Sequence, residues 1–402
     1  MRTNSQHLSL ALTTLVATTS FSQTVSAATL YSVLDLGYIA ASDSDYVSVV
    51  GLNDLGQVVG SALTEDEAGN FRNVDFRTAP NSPIDPVRDQ INPNNSIVVV
   101  RDINNLGQVV GNDPIGRTST GLRTDANGLL GESLSPVTDA AAINDLGQIA
   151  GQALVAGCSR PGPSCSEPPR YNAVPVENSS NGTVQIYDLG TLGGQFSNGY
   201  GINALGQVVG SSDTTDEQSR RAFRTAPNRA INPGTDDLGT LGGLTSDAID
   251  INNLGQVVGS STTTSGETRA FRTAANQAIN LDDDLGTLGG NFSSAEAINE
   301  SGQVVGSSAL ANGDIRAFLY DENTMFDLND LVVGDVDFTF TRAEAINESG
   351  QIAVNGFFNN NTERPRAFLL TPVPEPASML GVLAFGAGAG ILRKRAKQKV
   401  KA

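Results

Sequence analysis

Histidine, cysteine and tryptophan are scarce in this 402-residue sequence. Its single histidine is His7, it has two cysteines, and it contains no tryptophan. Beyond residue 28 the sequence therefore excludes triads that use histidine and zinc sites that use histidine ligands. Two cysteines without histidine also make a poor metal site, so no metal or cofactor is expected.

Lysine is absent from the body of the chain, because all four lysines lie in its last nine residues. Residues 29–374 hold 18 basic and 42 acidic side chains, a net charge near −24. A field of this sign keeps a protein soluble and opposes binding to nucleic acid or to anionic membranes. No nucleic acid partner is expected.

The first 28 residues have the pattern of a secretory signal peptide. Arg2 precedes an apolar run from Leu8 to Val16, and small residues at 25–28 offer a cleavage site. A buried first helix is the alternative, but the run has no helix stop. The mature protein is predicted to be exported and to begin near residue 29.

A nine-residue phrase, Ile-Asn-Asn-Leu-Gly-Gln-Val-Val-Gly at Ile251, recurs along the body. Its seven copies begin at Leu52, Ile103, Ile143, Ile202, Ile251, Ile298 and Ile346. The phrase predicts a β-hairpin in which Gly takes a left-handed conformation and the Asn side chain bonds the turn backbone. A repeated ligand-binding Asn is the alternative interpretation.

The spacing of the phrases, 40 to 59 residues, is that of four-stranded propeller blades. Apolar content of 39%, 43 glycines and 5% aromatics suit short strands and tight turns. We predict an all-β, β-propeller-like repeat array over residues 29–372, with seven four-stranded blades. The last unit lacks a fourth strand, which the N-terminal strand Leu30 to Gly37 is expected to supply, closing the ring. Residues 154–182 are predicted to be a surface loop.

Two further phrases repeat between the hairpins. Asp-Leu-Gly-Thr-Leu-Gly-Gly, at Asp188, Asp237 and Asp284, is predicted to form a fourth strand and the crossing to the next unit. Arg-Ala-Phe is predicted to lie on the third strand, with Phe in the core. Its four arginines either face an anionic saccharide or carboxylate ligand together or pair with nearby acids: Arg221, Arg269, Arg316 and Arg366.

With these motifs the chain resembles the bacterial extracellular HAF-repeat proteins, named for a His-Ala-Phe triplet near Gly-Gln-Val-Val-Gly and Leu-Gly-Gly phrases. The similarity runs from about Leu30 to Leu370. Arg replaces His in every clear triplet, so no role of an imidazole carries over. The resemblance implies export and repetition and no particular activity.

The C-terminal segment, residues 373–402, resembles a PEP-CTERM sorting signal. Pro374, Glu375 and Pro376 precede an apolar run from Ala377 to Leu392, and Arg393, Lys394 and Arg395 follow it. Sixteen residues span about 24 Å as a helix, less than the ~30 Å of hydrocarbon, so this short transmembrane segment favours transient inner-membrane anchoring. The resemblance implies processing by an exosortase; an ordinary single-span anchor is the alternative.

The remaining chemistry rests on Cys158, Cys165 and the acids. After export the two cysteines are expected to form a disulfide. Asp and Glu are abundant, but no spacing singles out a catalytic pair or a calcium loop.

We therefore predict a non-enzymatic protein of the cell surface or extracellular matrix, a structural or adhesive scaffold that contacts exopolysaccharide or surface proteins. The alternative is a secreted hydrolase that acts on polysaccharide through Asp and Glu carboxylates.

Overall fold

The fold was analysed in a computed structural model of the chain. It describes residues 29–374, apart from 39–45, 66–70, 92–98, 114–119, 157–169, 179–183, 217–218, 335 and 360. The predicted signal peptide, Cys158, Cys165 and the sorting segment from Glu375 onward lie outside the described residues. Within the part that is described, no helix is long and apolar enough to cross a membrane.

The described residues form 26 strands and two short 3₁₀ turns, Leu281–Asp283 and Leu328–Asp330, so the all-β prediction is confirmed. The strands are β1 Tyr31–Asp35, β2 Tyr46–Leu52, β3 Val58–Glu65, β4 Phe71–Arg77, β5 Val99–Ile103, β6 Val109–Asp113, β7 Thr120–Thr124, β8 Leu130–Ser133, β9 Val137–Ile143, β10 Ile149–Ala156, β11 Arg170–Asn178, β12 Val184–Ile186, β13 Gly193–Ile202, β14 Val208–Thr214, β15 Arg220–Arg224, β16 Asp237–Gly239, β17 Gly242–Ile251, β18 Val257–Thr263, β19 Thr268–Arg272, β20 Gly289–Ile298, β21 Val304–Leu310, β22 Ile315–Asp321, β23 Thr324–Asp327, β24 Phe338–Ile346, β25 Ile352–Phe358 and β26 Asn361–Pro372.

Every copy of the nine-residue phrase is the turn of an antiparallel hairpin, as predicted. The strand leading into each phrase, which we call the inner strand of its repeat, is β2, β5, β9, β13, β17, β20 or β24. In the first copy Gly56 has φ of +77°, and the Asn53 side chain accepts the Gln57 N–H at 3.0 Å. Local turn chemistry therefore explains the phrase.

The hairpins extend into small antiparallel sheets, which gives a β-propeller-like architecture. In order of pairing these are β2-β3-β4, β5-β6-β7-β8, β12-β11-β10-β9, β13-β14-β15-β16, β17 to β23, and β1-β26-β25-β24. The seven-stranded sheet joins two repeats through a single parallel pair, Thr268 with Phe292.

The predicted four strands are not present in every repeat that the structure describes. After β4, a segment containing Pro80, Pro83 and Pro86 makes only the bridge between Phe76 and Gln90, because proline lacks the N–H that a ladder needs. In the repeat that contains β19, the fourth strand is replaced by a single isolated bridge between Phe271 and Asp284.

The predicted surface loop 154–182 is wrong in part, since β11 occupies much of it. Val174 and Val176 on β11 are fully buried and pair with Gly151 and Ile149 on β10. Asn172 and Ala173, which precede them, are buried as well, so this part of β11 lies in the core.

The N-terminal strand pairs with the last repeat, as predicted. β1 runs antiparallel to β26, with Tyr31 opposite Pro372 and Asp35 opposite Phe368. Residues more than 330 positions apart thus complete one sheet.

The core consists of apolar clusters between consecutive sheets. Phe223 packs with Ala150 and Ala173 of the preceding repeat, and Phe271 packs with Val209 and Ala222. Phe223, Phe271, Phe318 and Phe368 are all fully buried. The prediction that the Phe of Arg-Ala-Phe joins neighbouring units is confirmed.

We expect Asp35→Ala to lower the free energy of unfolding by about 2 kcal/mol, because the buried Arg366 loses a carboxylate that it contacts at 2.6 and 2.7 Å. The control is Asp314→Ala, which removes an exposed partner of Arg316 and should cost about 0.5 kcal/mol or less. Urea unfolding measures both. Equal effects of the two substitutions would mean that this ion pair does not hold β1.

Candidate functional site

The seven inner strands surround a central cavity of about 520 Å³. All seven contribute residues just before, or at the start of, their phrases. A second cavity of about 220 Å³ adjoins the phrase turns. Asp102 and Asp250 line both, so these two carboxyl groups lie where the cavities meet.

The wall of the central cavity combines apolar residues with charged side chains that are mainly acidic. Its charged and phenolic side chains are Asp102, Asp139, Asp250, Glu296, Glu344, Arg101, Arg342 and Tyr200. Five carboxyl groups therefore face two guanidinium groups. Such an arrangement can exchange protons and can hydrogen-bond a hydroxyl-rich ligand.

Asp102 is held by backbone donors of two neighbouring repeats. Its Oδ1 accepts the Ile103 N–H at 2.8 Å and its Oδ2 accepts the Ile143 N–H at 2.9 Å. Burial raises the pKa of Asp102 to about 7, and repulsion by Asp250 and Asp145 adds to the shift. A carboxyl group of this kind exchanges its proton near neutral pH.

Asp250 repeats this arrangement three repeats further along the chain. Its Oδ1 accepts the Ile251 N–H at 2.8 Å, and its Oδ2 accepts the Ile298 N–H at 2.9 Å. Burial raises its pKa as well, with a contribution from Glu300. The equivalent positions elsewhere hold small residues: Gly51, Ala142, Gly201, Ala297 and Ala345. This contrast is the sequence signal that could have identified both aspartates.

Arg342 holds two further carboxylates of the cavity. It contacts Glu296 at 3.0 Å on the neighbouring inner strand and Glu344 at 3.2 Å on its own strand. Burial raises the pKa of Glu344, against the influence of Arg342. The pKa of Arg342 is also raised, because the two carboxylates outweigh its burial. Arg101 and Asp139 form a similar but looser pair at 3.5 Å.

The repeated asparagines link the repeats, a role that the sequence analysis missed. Each side-chain amide donates to the backbone carbonyl of the Asn in the next repeat, at 2.9 to 3.3 Å, and Asn347 donates to Asn53. The seven residues are Asn53, Asn104, Asn144, Asn203, Asn252, Asn299 and Asn347. Since these amides are used within the protein, the turn interpretation is favoured over a ligand-binding one.

The four predicted arginines lie on third strands and each contacts an acid. Arg221 contacts Asp237 at 3.2 Å, Arg269 contacts Glu267 at 2.7 Å, and Arg316 contacts Asp314 at 3.4 Å. Arg366 binds Asp35 and stacks on Tyr38 with its guanidinium carbon 3.5 Å from the ring centre. None of the four lines the central cavity. Their ligand-facing role stays a prediction.

The remaining predicted sites fall at or beyond the described residues. Of the predicted sorting motif, the structure describes only its first residue, Pro374. Glu375, Pro376, Arg393, Lys394 and Arg395 lie outside, as do Cys158 and Cys165.

No family model and no curated protein matches the chain. Among solved structures it is similar to a gluconolactonase from Xanthomonas campestris, with 11% identity, 86% of this chain and 91% of that chain covered, and a TM-score of 0.34. It is also similar to a lectin from Aleuria aurantia in complex with α-methyl-L-fucoside, with 12% identity, 73% of this chain and 94% of that chain covered, and a TM-score of 0.32. A third similar structure is the catalytic domain of an α-L-arabinofuranosidase from Coprinopsis cinerea, with 8% identity, 86% of this chain and 97% of that chain covered, and a TM-score of 0.31.

The prediction of a scaffold without catalysis, and of a protein that is not an enzyme, is wrong. The sequence singles out no acid with a partner, whereas both Asp102 and Asp250 line the central cavity, where Asp250 adds to the rise in the pKa of Asp102. The error arose because the shared cavity depends on which inner strands meet, and local spacing does not reveal this.

Proposed function

We propose that the sheets are seven blades of a closed β-propeller, with β1 completing the last blade. The cycle of asparagine hydrogen bonds supports this arrangement, because it passes through all seven repeats and returns from Asn347 to Asn53. The apolar clusters follow the same order, and one of them joins the last repeat to the first. β1 also covers the edge of β26 that would otherwise be open.

We propose that the central cavity is the active site of a hydrolase that acts on polysaccharide. The observation that carries the proposal is the pair Asp102 and Asp250, two carboxyl groups of raised pKa on one cavity wall. Two carboxyl groups that face one cavity, one protonated and one ionised, are the usual acid and base of glycoside hydrolysis.

In this mechanism Asp102 is the acid, because its pKa of about 7 keeps it protonated below neutral pH. It donates its proton to the glycosidic oxygen as the bond to the anomeric carbon breaks. Asp250, ionised, either removes a proton from the water that attacks that carbon, or attacks the carbon itself to form a glycosyl ester. In the second route water then hydrolyses the ester, and Asp102, now ionised, takes the proton of that water. The distance between the two carboxyl groups in the complex with substrate decides between these routes.

The guanidinium of Arg342 has a supporting role. Together with Glu296 and Glu344 it forms a fixed group of donors and acceptors beside the two aspartates. Sugar hydroxyls hydrogen-bond such groups in both directions. The cavity volume lies within the ~300–1,000 Å³ of small-ligand sites, which favours binding of a chain end over a long internal stretch.

We propose further that the protein is exported and sorted to the cell surface or matrix through its C-terminal segment. The signal-like residues 1–28 support this, as does the order of Pro-Glu-Pro, apolar run and basic cluster after Val373. An exosortase-type enzyme is the partner that this order implies. The sorted body would then meet the polysaccharides that it cleaves.

The test is a screen of matrix and plant polysaccharides for release of reducing ends by the full-length protein. Asp237→Asn is the matched control, since Asp237 lies on β16 and pairs with Arg221 outside the cavity. We expect release by the wild-type protein and by this control, and almost none by Asp250→Asn. Binding of a polysaccharide by the wild-type protein and by the control, without release of reducing ends from either, would refute the hydrolase.

A further inference from the structure

The phrase turns carry an exposed apolar surface. Five of the seven place a leucine on the surface with 52–71% of the residue exposed: Leu55, Leu106, Leu146, Leu205 and Leu254. These leucines belong to five consecutive repeats. We call them the leucine arc.

The turn itself does not require leucine. The last two repeats have Ser301 and Ser349 at the same position, and their turns keep the same hydrogen bonds and the same left-handed glycine. Each of five consecutive repeats therefore exposes an apolar side chain that its turn does not need.

The chain leaves the body at the same end of the molecule. Gln351, in the last phrase, donates to the Thr371 hydroxyl at 3.1 Å, and a Cβ on Gly350 would lie 3.3 Å from Pro372. Val373 then donates its N–H to Leu30 at 2.8 Å. Leu30 and Val373, together with Val333, add exposed apolar side chains to this end.

An uncharged run of sixteen residues, 377–392, follows almost at once. Only four residue steps separate Val373 from Ala377, which is at most about 14 Å of extended chain. Wherever the run enters a bilayer, the end of the body that carries the phrase turns is held within that distance of the lipid.

We propose that the leucine arc docks on the surface of the bilayer that holds residues 377–392, so that the phrase turns face the lipid. This inference rests on the proposed sorting through the C-terminal segment. The turns also carry the carboxylates Asp54, Asp145, Glu300 and Glu348 beside the smaller cavity. Docking is therefore stronger on zwitterionic lipid than on anionic lipid. The opposite mouth of the central cavity then faces away from the membrane.

The experiment uses the absence of tryptophan from the chain. Full-length Leu146→Trp protein is reconstituted into phosphatidylcholine vesicles in which some lipids carry bromine near the headgroup. The control is Leu244→Trp, an equally exposed leucine near the start of β17, at the opposite end of an inner strand. Leu106→Trp replaces the first variant if that one fails to fold. Vesicle flotation reports separately whether the C-terminal segment is inserted.

We expect flotation of both variants, quenching of the tryptophan introduced at position 146, and none at position 244. Adding anionic lipid should reduce the quenching. Flotation without quenching at position 146 overturns the docking and leaves the sorting proposal intact. Failure to float overturns both. A blue shift at position 146 that grows with protein concentration, without lipid, assigns the arc to a second copy of the chain and also overturns the docking.

Discussion

Asp102→Asn is expected to lower kcat on the cleaved polysaccharide by about 100- to 10,000-fold, the range for loss of a general acid. The amide cannot donate a proton to the leaving oxygen, although it has nearly the volume and shape of the carboxyl group. Thermal unfolding of the variant, measured alongside the rate, separates loss of chemistry from loss of fold. This control matters because Asp102 also links two inner strands through the Ile143 N–H.

The pH dependence of polysaccharide cleavage by the wild-type protein gives an independent check on the same proposed acid. Asp102 must be protonated to act, and its pKa is about 7, so kcat/KM should fall as the pH rises through 7. Asp250 must be ionised, so the rate should also fall toward acid pH, at a pH above the usual range for Asp because burial raises its pKa. An unchanged alkaline limb in the Asp102→Asn variant would assign that limb to another group.

Asn252→Ala is expected to lower the free energy of unfolding by about 4 kcal/mol. The buried amide of Asn252 donates to Gln256 at 2.8 Å and to the Asn299 carbonyl at 3.1 Å, and accepts the Gln256 N–H at 3.0 Å. Alanine leaves these buried groups unpaired, at about 1–3 kcal/mol each. Urea unfolding at pH 7 measures the change.

The adjacent Asn253 provides a matched control. It is exposed and accepts one hydrogen bond, from the Ala204 N–H at 2.8 Å. Asn253→Ala should cost about 1 kcal/mol or less, since water can replace its oxygen. A difference of less than 1 kcal/mol between the two substitutions would show that the asparagine cycle adds little to stability. Asn252→Asp, which keeps the shape but replaces the donor, should resemble Asn252→Ala.

Much of the fold was predictable because its determinants are local. Gln57 bonds Asn53 four residues away, and the left-handed Gly56 lies between them, so one nine-residue phrase specifies a hairpin wherever it occurs. The third-strand Phe was predictable from its place in a repeated apolar pattern. Pro80, Pro83 and Pro86 are also a local signal against a fourth strand in the first repeat.

The candidate site was less predictable because its residues are distant in sequence. Asp102 and Asp250 are two of 42 acids in the body, and the one local signal for them is that each stands directly before a copy of the phrase, where the other five repeats have Gly or Ala. The effect of Asp250 on the pKa of Asp102 depends on inner strands of the second and fifth repeats lining one cavity. The same limitation hid the asparagine cycle, since each amide reaches a carbonyl 40 to 59 residues away, or 294 at the junction of last and first repeats.

The amino-acid sequence by itself determined the repeat, the hairpin turns, the strand content and the pairing of β1 with the last repeat, because these depend on contacts within a few residues or on a missing strand. Only the tertiary structure decided which acids share the central cavity, where the asparagine amides donate, and that the leucine arc lies at the end where the chain leaves the body. Those features arise when separate repeats are brought side by side, and the burial and the partners that result are not encoded in any one repeat.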